Sequence, residues 1–439
     1  NIIRNYHTKP VKFVELSQVD LASWLSKEAG KEEPGTGKAQ TKHNSNSHLI
    51  DKIANDAPTV NLVNSICIEA IKMNASDIHI ESGTEVTRVR YRIDGVLQTV
   101  RTLDLESFSA ILSRIKIMAN LNILEKRLPQ DGRVTVSLGD NNIDLRISII
   151  PITGGESIVM RLLGKSSSIT GLDSLGFSNK QLSDIRSMIK IPHGLILVTG
   201  PTGSGKTTTL NAIMQELVND ETKIISIEDP VEFIVDGVNQ IQINEQINLG
   251  FDSILRRVLR QDPNIIMIGE IRDTETAKIA VRASITGHLV LSTIHTNSAA
   301  ATVTRLIEMG AKDYLVSSTL TGVIAQRLVR RLCDKCKEAY FPTEEEVKHI
   351  STNPQVQQEL LKTKLYRKKG CKECGYLGYT GRIGIYEVMP ITREIKKLIA
   401  QGAHDIEIEE VAVAAGMKTL KTASFLMSSL FLVYQPSTL

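Results

Sequence analysis

Residues 197–210, LVTGPTGSGKTTTL, carry glycines, a lysine and a threonine at the Gly-x-x-x-x-Gly-Lys-Thr spacing. An apolar, strand-like run precedes them and a helix-compatible run follows, which disfavours a chance glycine-rich turn. Glycines let backbone amides close around phosphate oxygens, and a helix start adds partial positive charge. The spacing predicts a phosphate-binding loop in which Lys206 reaches the β and γ phosphates and Thr207 holds Mg²⁺. The candidate nucleotide-binding residues are Gly200, Pro201, Thr202, Gly203, Ser204, Gly205, Lys206, Thr207 and Thr208.

Carboxylates follow two other apolar runs, where a metal and an attacking water need partners. A phosphate-binding loop is normally matched by an Asp after four apolar residues, but IIMIGEIRD places Gly269 and then Glu270 there. We predict that Glu270 holds the metal or its water; a solvated strand-end carboxylate is the alternative. In SIEDPVE, Glu228 ends an apolar run and is the better candidate for a general base that orients water, with a plain acidic turn as the alternative.

Two histidines flank the apolar run LVLSTI, so we expect them near opposite ends of one strand. Only His295, close to Thr293 and Thr296, is then expected at the carboxyl edge, with His288 at the other end. At that edge His295 is a candidate for reporting the γ-phosphate to a neighbour; a structural histidine is the alternative.

Four of the five cysteines form two Cys-x-x-Cys pairs, Cys333 with Cys336 and Cys371 with Cys374, separated by 34 residues. Four thiolates suit tetrahedral Zn²⁺ in a structural site, because they leave no ligand position open. Unbound thiols and a disulfide are the alternatives, and a reducing compartment disfavours the disulfide. Cys67 lies on an apolar helix face and is expected in a core.

The apolar runs that precede the polar clusters predict one sheet. GLILVTG, KIISIEDP, NIIMIGEI and HLVLSTIH alternate with polar or helical stretches, a pattern typical of parallel strands with helices on both faces. Ligands bind such sheets at the carboxyl ends of the strands, where the polar clusters fall. Upstream, the helical spacing in APTVNLVNSICIEAIKM and the alternating runs up to NIDLRISII predict a smaller mixed α/β domain ending near Leu163.

Six segments are predicted along the chain. The polar stretch 26–47 is typical of a flexible linker, GKSSSITGLDSLGFS of a hinge, and the region after about Thr392 of helices. The boundaries are 1–25 for a remnant of an N-terminal domain, 26–47 for the linker, 48–165 for the smaller domain, 166–332 for the nucleotide-binding core, 333–376 for the zinc-binding subdomain and 377–439 for a C-terminal helical region.

Length and composition limit the class of protein. With 439 residues and 41% apolar content the chain suits about three domains. No apolar stretch reaches the roughly 18 residues of a membrane span. There is no signal-peptide pattern, so we expect a cytosolic protein, and because the sequence starts at Asn1 rather than Met we also expect its natural N-terminus to be missing. A net charge of +3 and 4% aromatic residues disfavour nucleic acid as a partner.

The motifs resemble those of the GspE/PilB-type secretion ATPases, which drive type II secretion and type IV pilus assembly. The resemblance runs from about Asp56 to Met389. It is carried by ASDIHIES, RYRIDGV, EKRLPQDGR, DLRIS, GGESIVMRLL, GPTGSGKTTTL, IEDPVE, LRRVLRQDPNIIMIGEIRDTETA, TGHLVLSTIHTNSAAATVTRL and the CDKC and CKEC pairs. It implies a hexameric ring in which a PAS-like domain is hinged to a RecA-like core, with nucleotide bound between them and near the next subunit. The absence of a guanine-reading Asn-Lys-x-Asp pattern favours ATP.

The resemblance also assigns roles by position. It places the family's Asp-box glutamate on Glu228, its Walker B glutamate on Glu270 and its His-box histidine on His295, in agreement with the residues chosen above. It further implies that five arginines act on the nucleotide, which nothing in their local sequence indicates. They are Arg146 and Arg161 on the smaller domain and Arg256, Arg260 and Arg272 on the core.

The implied function is a motor that moves an inner-membrane platform protein and thereby adds pilin-like subunits to a filament. Relatives with the four-cysteine insertion bind zinc, and the pilus-retraction branch generally lacks it, so an assembly motor is expected, attached peripherally to the inner membrane through its partners. Two features depart from the family. At most 47 residues precede the smaller domain, where relatives carry a docking domain, and the tail SFLMSSLFLVYQPSTL is unlike theirs.

Type II secretion is the leading hypothesis, and the sequence does not separate it from type IV pilus assembly. A nucleic-acid translocase on the same core is a more distant alternative. A nucleotide-gated scaffold without turnover is disfavoured, because both candidate carboxylates are present.

Overall fold

The computed structural model describes residues 57–138, 141–163, 171–244, 247–350 and 354–423. The predictions for the N-terminal remnant, the linker, residues 164–170 of the hinge and the tail after residue 423 lie outside the described residues. Among the helices that the structure describes, none is both long and apolar enough to cross a membrane.

Residues 57–163 form a domain with a six-stranded antiparallel sheet and two helices, which share one hydrophobic core. In chain order the elements are α1 (Ala57–Lys72), β1 (Asp77–Ser82), β2 (Thr87–Ile93), β3 (Val96–Leu103), α2 (Leu105–Met118), β4 (Gln130–Leu138), β5 (Asn141–Ile152) and β6 (Gly155–Leu163). The strand order is β3-β2-β1-β6-β5-β4. In β2, Val89 and Tyr91 face the core and Arg88 faces solvent, the alternation expected of a sheet covered on one face. The smaller mixed α/β domain is thus confirmed, with Cys67 in its core.

The second sheet has seven strands and helices on both faces, and Glu338–Tyr340 pairs with Leu365–Arg367 in a separate two-stranded sheet of the same region. Its region comprises α3 (Asn179–Ile189), β7 (Gly194–Thr199), α4 (Lys206–Leu217), β8 (Ile224–Glu228), β9 (Val238–Gln242), α5 (Phe251–Val258), β10 (Ile265–Ile268), α6 (Thr274–Ile285), β11 (Leu289–Ile294), α7 (Ala299–Glu308), α8 (Asp313–Thr319), β12 (Leu320–Leu332), β13 (Glu338–Tyr340), α9 (Glu344–Ile350), α10 (Pro354–Leu361), β14 (Leu365–Arg367), β15 (Tyr379–Pro390), α11 (Arg393–Ala400) and α12 (Asp405–Ala414).

The strands of this sheet follow the order β15-β12-β7-β11-β10-β8-β9, and every neighbouring pair is parallel except β12 with β15. Strands β7, β8, β10 and β11 are buried along their whole length, as apolar strands between two helical layers must be. Helices α3 and α4 pack on one face; α5 to α8, α11 and α12 pack on the other. This confirms the predicted parallel sheet with helices on both faces.

The prediction of a helical region from residue 377 onwards is wrong at its start. Tyr379–Pro390 is strand β15, which pairs antiparallel with β12 at the edge of the large sheet. Its second half is a buried run from Ile385 to Met389. The cysteine segment separates the two strands in sequence. The pairing is therefore non-local, and no local sequence pattern predicts it. Helices begin only at Arg393, as expected for the region after about Thr392.

Candidate functional site

The predicted phosphate-binding loop joins β7 to α4. Gly200 has a φ of 149°, and a β-carbon there would lie 2.4 Å from the carbonyl oxygen of Gln326, so the position requires glycine. Gly205 precedes the helix with a left-handed φ of 87°. Helix α4 begins at Lys206, and the free N–H groups of its first turn, together with the helix dipole, suit this end of the helix to an anion.

Lys206 is held over the loop by backbone carbonyls. Its Nζ donates to the oxygen of Gly200 at 2.8 Å and to that of Pro201 at 3.1 Å. The residue is only 9% exposed, and this burial lowers the pKa of the ammonium group, with Glu270 acting in the opposite direction. A cation that is partly stripped of water gains most from an anionic partner, and a phosphate group would supply one.

The loop is anchored by a residue that the sequence analysis missed. Gln326 of β12 is buried; its Nε2 donates to the carbonyl of Ser204 at 2.6 Å and its Oε1 accepts from Thr209 Oγ1 at 2.8 Å. A single amide therefore fixes both the loop and the first turns of α4. The only available signal was a glutamine directly after the short apolar run Val323–Ala325.

Glu228 is the last residue of β8, and Glu270 comes two residues after the neighbouring parallel strand β10. The N–H of Gly269 donates to the carbonyl of Ile227 at 2.8 Å, and a β-carbon at Gly269 would lie 3.1 Å from that oxygen. This close approach explains why a glycine follows β10 and the acidic residue comes one position later. Glu228 is 3% exposed, and burial raises the pKa of its carboxyl group.

Glu270 lies within reach of two basic side chains. Its Oε2 is 3.2 Å from His295 Nε2, and its Oε1 forms an ion pair with Arg272 Nε. His295 follows β11 at the carboxyl edge. His288 precedes the same strand, and its Nδ1 is 2.9 Å from the carbonyl of Ala283. The two histidines therefore lie at opposite ends of β11.

Most of the predicted nucleotide-site residues line one cleft of about 820 Å³. They are Thr202, Gly203, Ser204, Gly205, Lys206, Thr207, Thr208, Glu228, Glu270, Arg272, His295, Arg146 and Arg161. Gly200 and Pro201 form the base of the loop and do not line the cleft. Arg256 and Arg260 do not line it either: both are exposed, and Arg256 forms an ion pair with Glu275.

The smaller domain contributes two arginines to this cleft. Arg146 of β5 and Arg161 of β6 are direct partners in the antiparallel register. Arg161 Nε donates to Asp77 Oδ1 at 2.9 Å, although the arginine side chain remains 66% exposed. Two cations on directly opposite residues repel one another, so an anion between this sheet and the loop would stabilise the pair.

One further arginine lines the cleft and was not predicted. Arg382 lies on β15, and its Nε is 3.8 Å from Asp94 Oδ1 in the turn between β2 and β3. The N–H of Gly381 donates to the other oxygen of Asp94 at 3.0 Å. The smaller domain and the large sheet are therefore in direct polar contact beside the cleft.

The four predicted cysteines form one cluster. Their sulfur atoms all lie within 4.8 Å of one another, with 3.9 Å from Cys333 to Cys371 and 3.8 Å both from Cys336 to Cys374 and from Cys371 to Cys374. A disulfide needs sulfurs about 2.05 Å apart, whereas tetrahedral thiolates about 2.3 Å from zinc lie about 3.8 Å apart. The observed spacing fits four ligands of one metal ion and no disulfide.

Backbone donors also suit this cluster to thiolates. Cys374 Sγ accepts from the N–H groups of Cys371 and Gly378, each at 3.2 Å, and Cys336 Sγ accepts from Gly370 at 3.3 Å. Burial alone would raise the pKa of the Cys374 thiol, but these donors outweigh it and bring the pKa to about 6. For Cys336, burial and the neighbouring thiols raise the pKa to about 11. A cation would relieve this repulsion among the thiolates.

Three features together define a P-loop nucleoside triphosphatase. They are the phosphate-binding loop at the start of α4, the carboxylates at two strand ends and the parallel sheet with helices on both faces. Comparison of the sequence with known protein families identifies the family. Residues 52–430 match the family described as Type II/IV secretion system protein, and the chain belongs to that family. It is an ATP-hydrolysing enzyme of the secretion and pilus-assembly motor class.

Two relatives illustrate the similarity. The type II secretion system ATPase E of Vibrio cholerae is 48% identical over 365 residues, which cover 83% of this chain and 71% of that protein. The type IV pilus assembly ATPase PilB of Myxococcus xanthus is 48% identical over 372 residues, covering 84% of this chain and 65% of that protein. The chain thus spans about two thirds of the length of these relatives.

Solved structures confirm the fold. The ATPase DotB of Legionella pneumophila superposes with a TM-score of 0.63 at 20% identity, covering 84% of this chain and 92% of DotB. The pilus retraction motor PilT, solved with bound ADP, gives a TM-score of 0.57 at 26% identity, covering 86% of this chain and 95% of PilT. The RecA-like core with a smaller α/β domain is therefore confirmed.

Proposed function

We propose that this chain is the ATPase motor of a type II secretion machine and that the cleft between its phosphate-binding loop and its smaller domain is where ATP is split. One observation carries the proposal: the loop, two strand-end carboxylates and two arginines of the smaller domain line the same cleft. Such a constellation positions a triphosphate and stabilises the charge that develops on it.

The proposed roles follow the positions of the side chains. Lys206 and the loop amides bind the β and γ phosphates, Arg146, Arg161 and Arg272 neutralise their charge, and His295 responds to the γ-phosphate through Glu270. Water attacks the γ-phosphorus while the bond to the bridging oxygen breaks and ADP leaves with the electron pair. Glu228 accepts the proton of the attacking water. Thr207 and Glu270 would hold Mg²⁺ or its water, and that ion would neutralise charge on the phosphate oxygens.

ATP binding would draw the two domains together, because the anion attracts arginines of one domain to the loop of the other. Loss of the γ-phosphate removes part of this attraction and releases the closed arrangement. The difference in affinity between the two arrangements is the source of mechanical work. Asp94 of the smaller domain contacts Gly381 and Arg382 of the large sheet, so a movement between the two domains would change these contacts.

We further propose a homo-hexamer in which Arg256 and Arg260 act on the nucleotide of a neighbouring subunit. Both side chains are exposed and lie outside their own chain's cleft. This placement suits groups that serve another copy, and arginines supplied in this way stabilise transition-state charge.

Turnover per chain is expected to fall on dilution, because a separated subunit lacks the arginines of its neighbour. We expect Arg256→Ala to lower turnover at least about tenfold, whereas Arg257→Ala, which removes another exposed arginine of α5, should not. Mixing Arg256→Ala chains with Lys206→Ala chains should restore part of the activity, because a mixed ring contains intact sites. Steady-state phosphate release measures all three effects. Constant turnover per chain on dilution, or no recovery on mixing, would contradict the shared site.

The cysteine cluster is proposed to hold one structural Zn²⁺ through Cys333, Cys336, Cys371 and Cys374. The sulfur spacing and the N–H donors support this role, and four thiolates leave no position for a substrate. The ion would then tie the ends of β12 and β15 together, since the cysteines follow the first strand and precede the second.

We propose a cytoplasmic location with peripheral attachment to the inner membrane through platform and docking proteins, and no nucleic-acid partner. Relatives named for type II secretion and for type IV pilus assembly are equally similar, so the pathway needs a direct test. The tagged full chain is expected to co-purify with the platform protein of a type II machine, and Lys206→Ala expressed alongside the native protein should block export. Loss of pili with normal export would instead assign the type IV pathway, and stimulation by DNA a translocase.

A further inference from the structure

Two polar side chains converge on one oxygen of Glu228. Ser226 Oγ donates to Glu228 Oε1 at 2.6 Å, and Gln240 Nε2 donates to the same oxygen at 2.9 Å. Both donors come from the sheet itself: Ser226 lies two residues earlier on β8, hence on the same face, and Gln240 is its direct partner on β9. Ser226 is fully buried and Glu228 nearly so, which makes this a fixed internal contact.

Gln240 is itself held in one orientation. Its Nε2 also donates to the carbonyl of Phe233 at 2.9 Å, and its Oε1 accepts from the N–H of Val235 at 2.8 Å. Because one end of the amide must accept and the other must donate, the amide has only one arrangement that satisfies all its partners. The donor that faces Glu228 is therefore set by the turn after β8.

We propose that Ser226 and Gln240 are positioning residues that anchor Oε1 of Glu228 and so leave Oε2 to act on water in the cleft. The inference rests on the proposed role of Glu228. Both donors bind Oε1, and among the described residues none donates a hydrogen bond to Oε2. Glu228 also lines the cleft. An anchored carboxylate presents its second oxygen in one direction, which is the geometry that a general base requires.

The two donors also favour the charged form that a base needs. Burial raises the pKa of Glu228, and hydrogen bonds from Ser226 and Gln240 lower it. Glu232 on the following turn acts in the same direction as burial. The other charged or titratable groups facing the cleft are Lys206, Asp229, Glu270, Arg272, His295, Arg146, Arg161 and Arg382, and none of them is altered by changing Ser226 or Gln240.

The test is the pH profile of turnover in the full chain at saturating ATP. Removing one donor by Ser226→Ala should disfavour the carboxylate, so the acidic limb of kcat should move upward by about one pH unit. Near the bottom of that limb kcat should fall about tenfold, with KM for ATP changed less than about twofold. Gln240→Met removes the other donor and should act in the same direction. Asn239→Ala, exposed on the same strand, is the matched control and should leave the profile unchanged.

A second background separates positioning from a general structural effect. In Glu228→Gln chains the base is absent, so adding Ser226→Ala should leave the residual rate unchanged. A loss that is equal at every pH, or a further loss in the Glu228→Gln background, would overturn the inference while leaving the motor proposal intact. If Glu228→Gln alone turns over ATP like the native chain, the proposed base itself is wrong and the inference falls with it.

Discussion

Lys206→Ala is expected to lower ATP turnover by about a thousandfold and to weaken nucleotide binding. The side chain is nearly buried at the start of α4, and its ammonium group is the cation closest to the loop carbonyls that surround the predicted phosphate site. Alanine removes that charge from a site where water screens it little. Phosphate release measures turnover, and binding of a fluorescent nucleotide analogue measures affinity.

A control for this substitution is Lys190→Ala, an exposed lysine just after α3 that lies outside the cleft. It should leave both quantities unchanged. Turnover within about tenfold of the native value in Lys206→Ala would show that the loop does not bind the reacting phosphates, even though its geometry suits an anion.

The phosphate-binding loop and the two carboxylates were predictable because each depends on local sequence. An apolar run of four to six residues flanked by polar or helical stretches is typical of a buried strand, and parallel strands align their carboxyl ends at one edge. Glu228, Glu270 and His295 therefore had to fall on the same side of the sheet as Lys206. The cysteine pairs were predictable for a similar reason, since thiols within a tight turn already face one another.

Gln326, Arg382 and Asp94 could not be predicted in the same way. Each makes its contacts with residues far away in sequence: Gln326 with the loop at Ser204, and Asp94 with Gly381 and Arg382. Neither the spacing of motifs nor hydrophobic periodicity predicts contacts between residues so far apart in sequence. Strand β15 was mistaken for part of a helical region for the same reason, because its partner β12 lies on the other side of the cysteine segment.

The arginines show where a family resemblance adds information and where it stops. Arg146 and Arg161 lie on strands whose residues alternate between buried and exposed, so an exposed arginine on either strand is ordinary. The antiparallel register nevertheless places the two arginines opposite one another, and both line the cleft with the phosphate-binding loop. Arg256 and Arg260 were assigned by the same resemblance and lie outside this cleft. One chain therefore places Arg146, Arg161 and Arg272 at its own cleft, and Arg256 and Arg260 outside it.

Removing the proposed Zn²⁺ from the cysteine cluster is expected to destabilise the chain strongly. Structural zinc contributes apparent binding energies of about 10–16 kcal/mol in small domains, and even a third of that would lower Tm by about 10 °C or more in a domain of this size. The cluster joins two strands of the large sheet: Cys333 follows β12 directly, and its N–H donates to the carbonyl of Gly378 at 3.0 Å just before β15. Loss of the ion should therefore loosen the sheet edge that carries Gln326 and Arg382.

Cys336→Ser, or chelation of the native chain, should lower metal content from about one ion per chain and lower Tm, and limited proteolysis should then cut within residues 341–370. Cys67→Ala is the matched control, because that cysteine lies in the core of the smaller domain; it should cost some stability through the lost packing but leave the metal content unchanged. Turnover should decline in Cys336→Ser as β15 loosens, since Arg382 lines the cleft from that strand. A purified chain with well under one metal ion, prepared without chelators and melting at the same temperature as Cys336→Ser, would rule out a structural metal and leave the four thiols as a packed cluster.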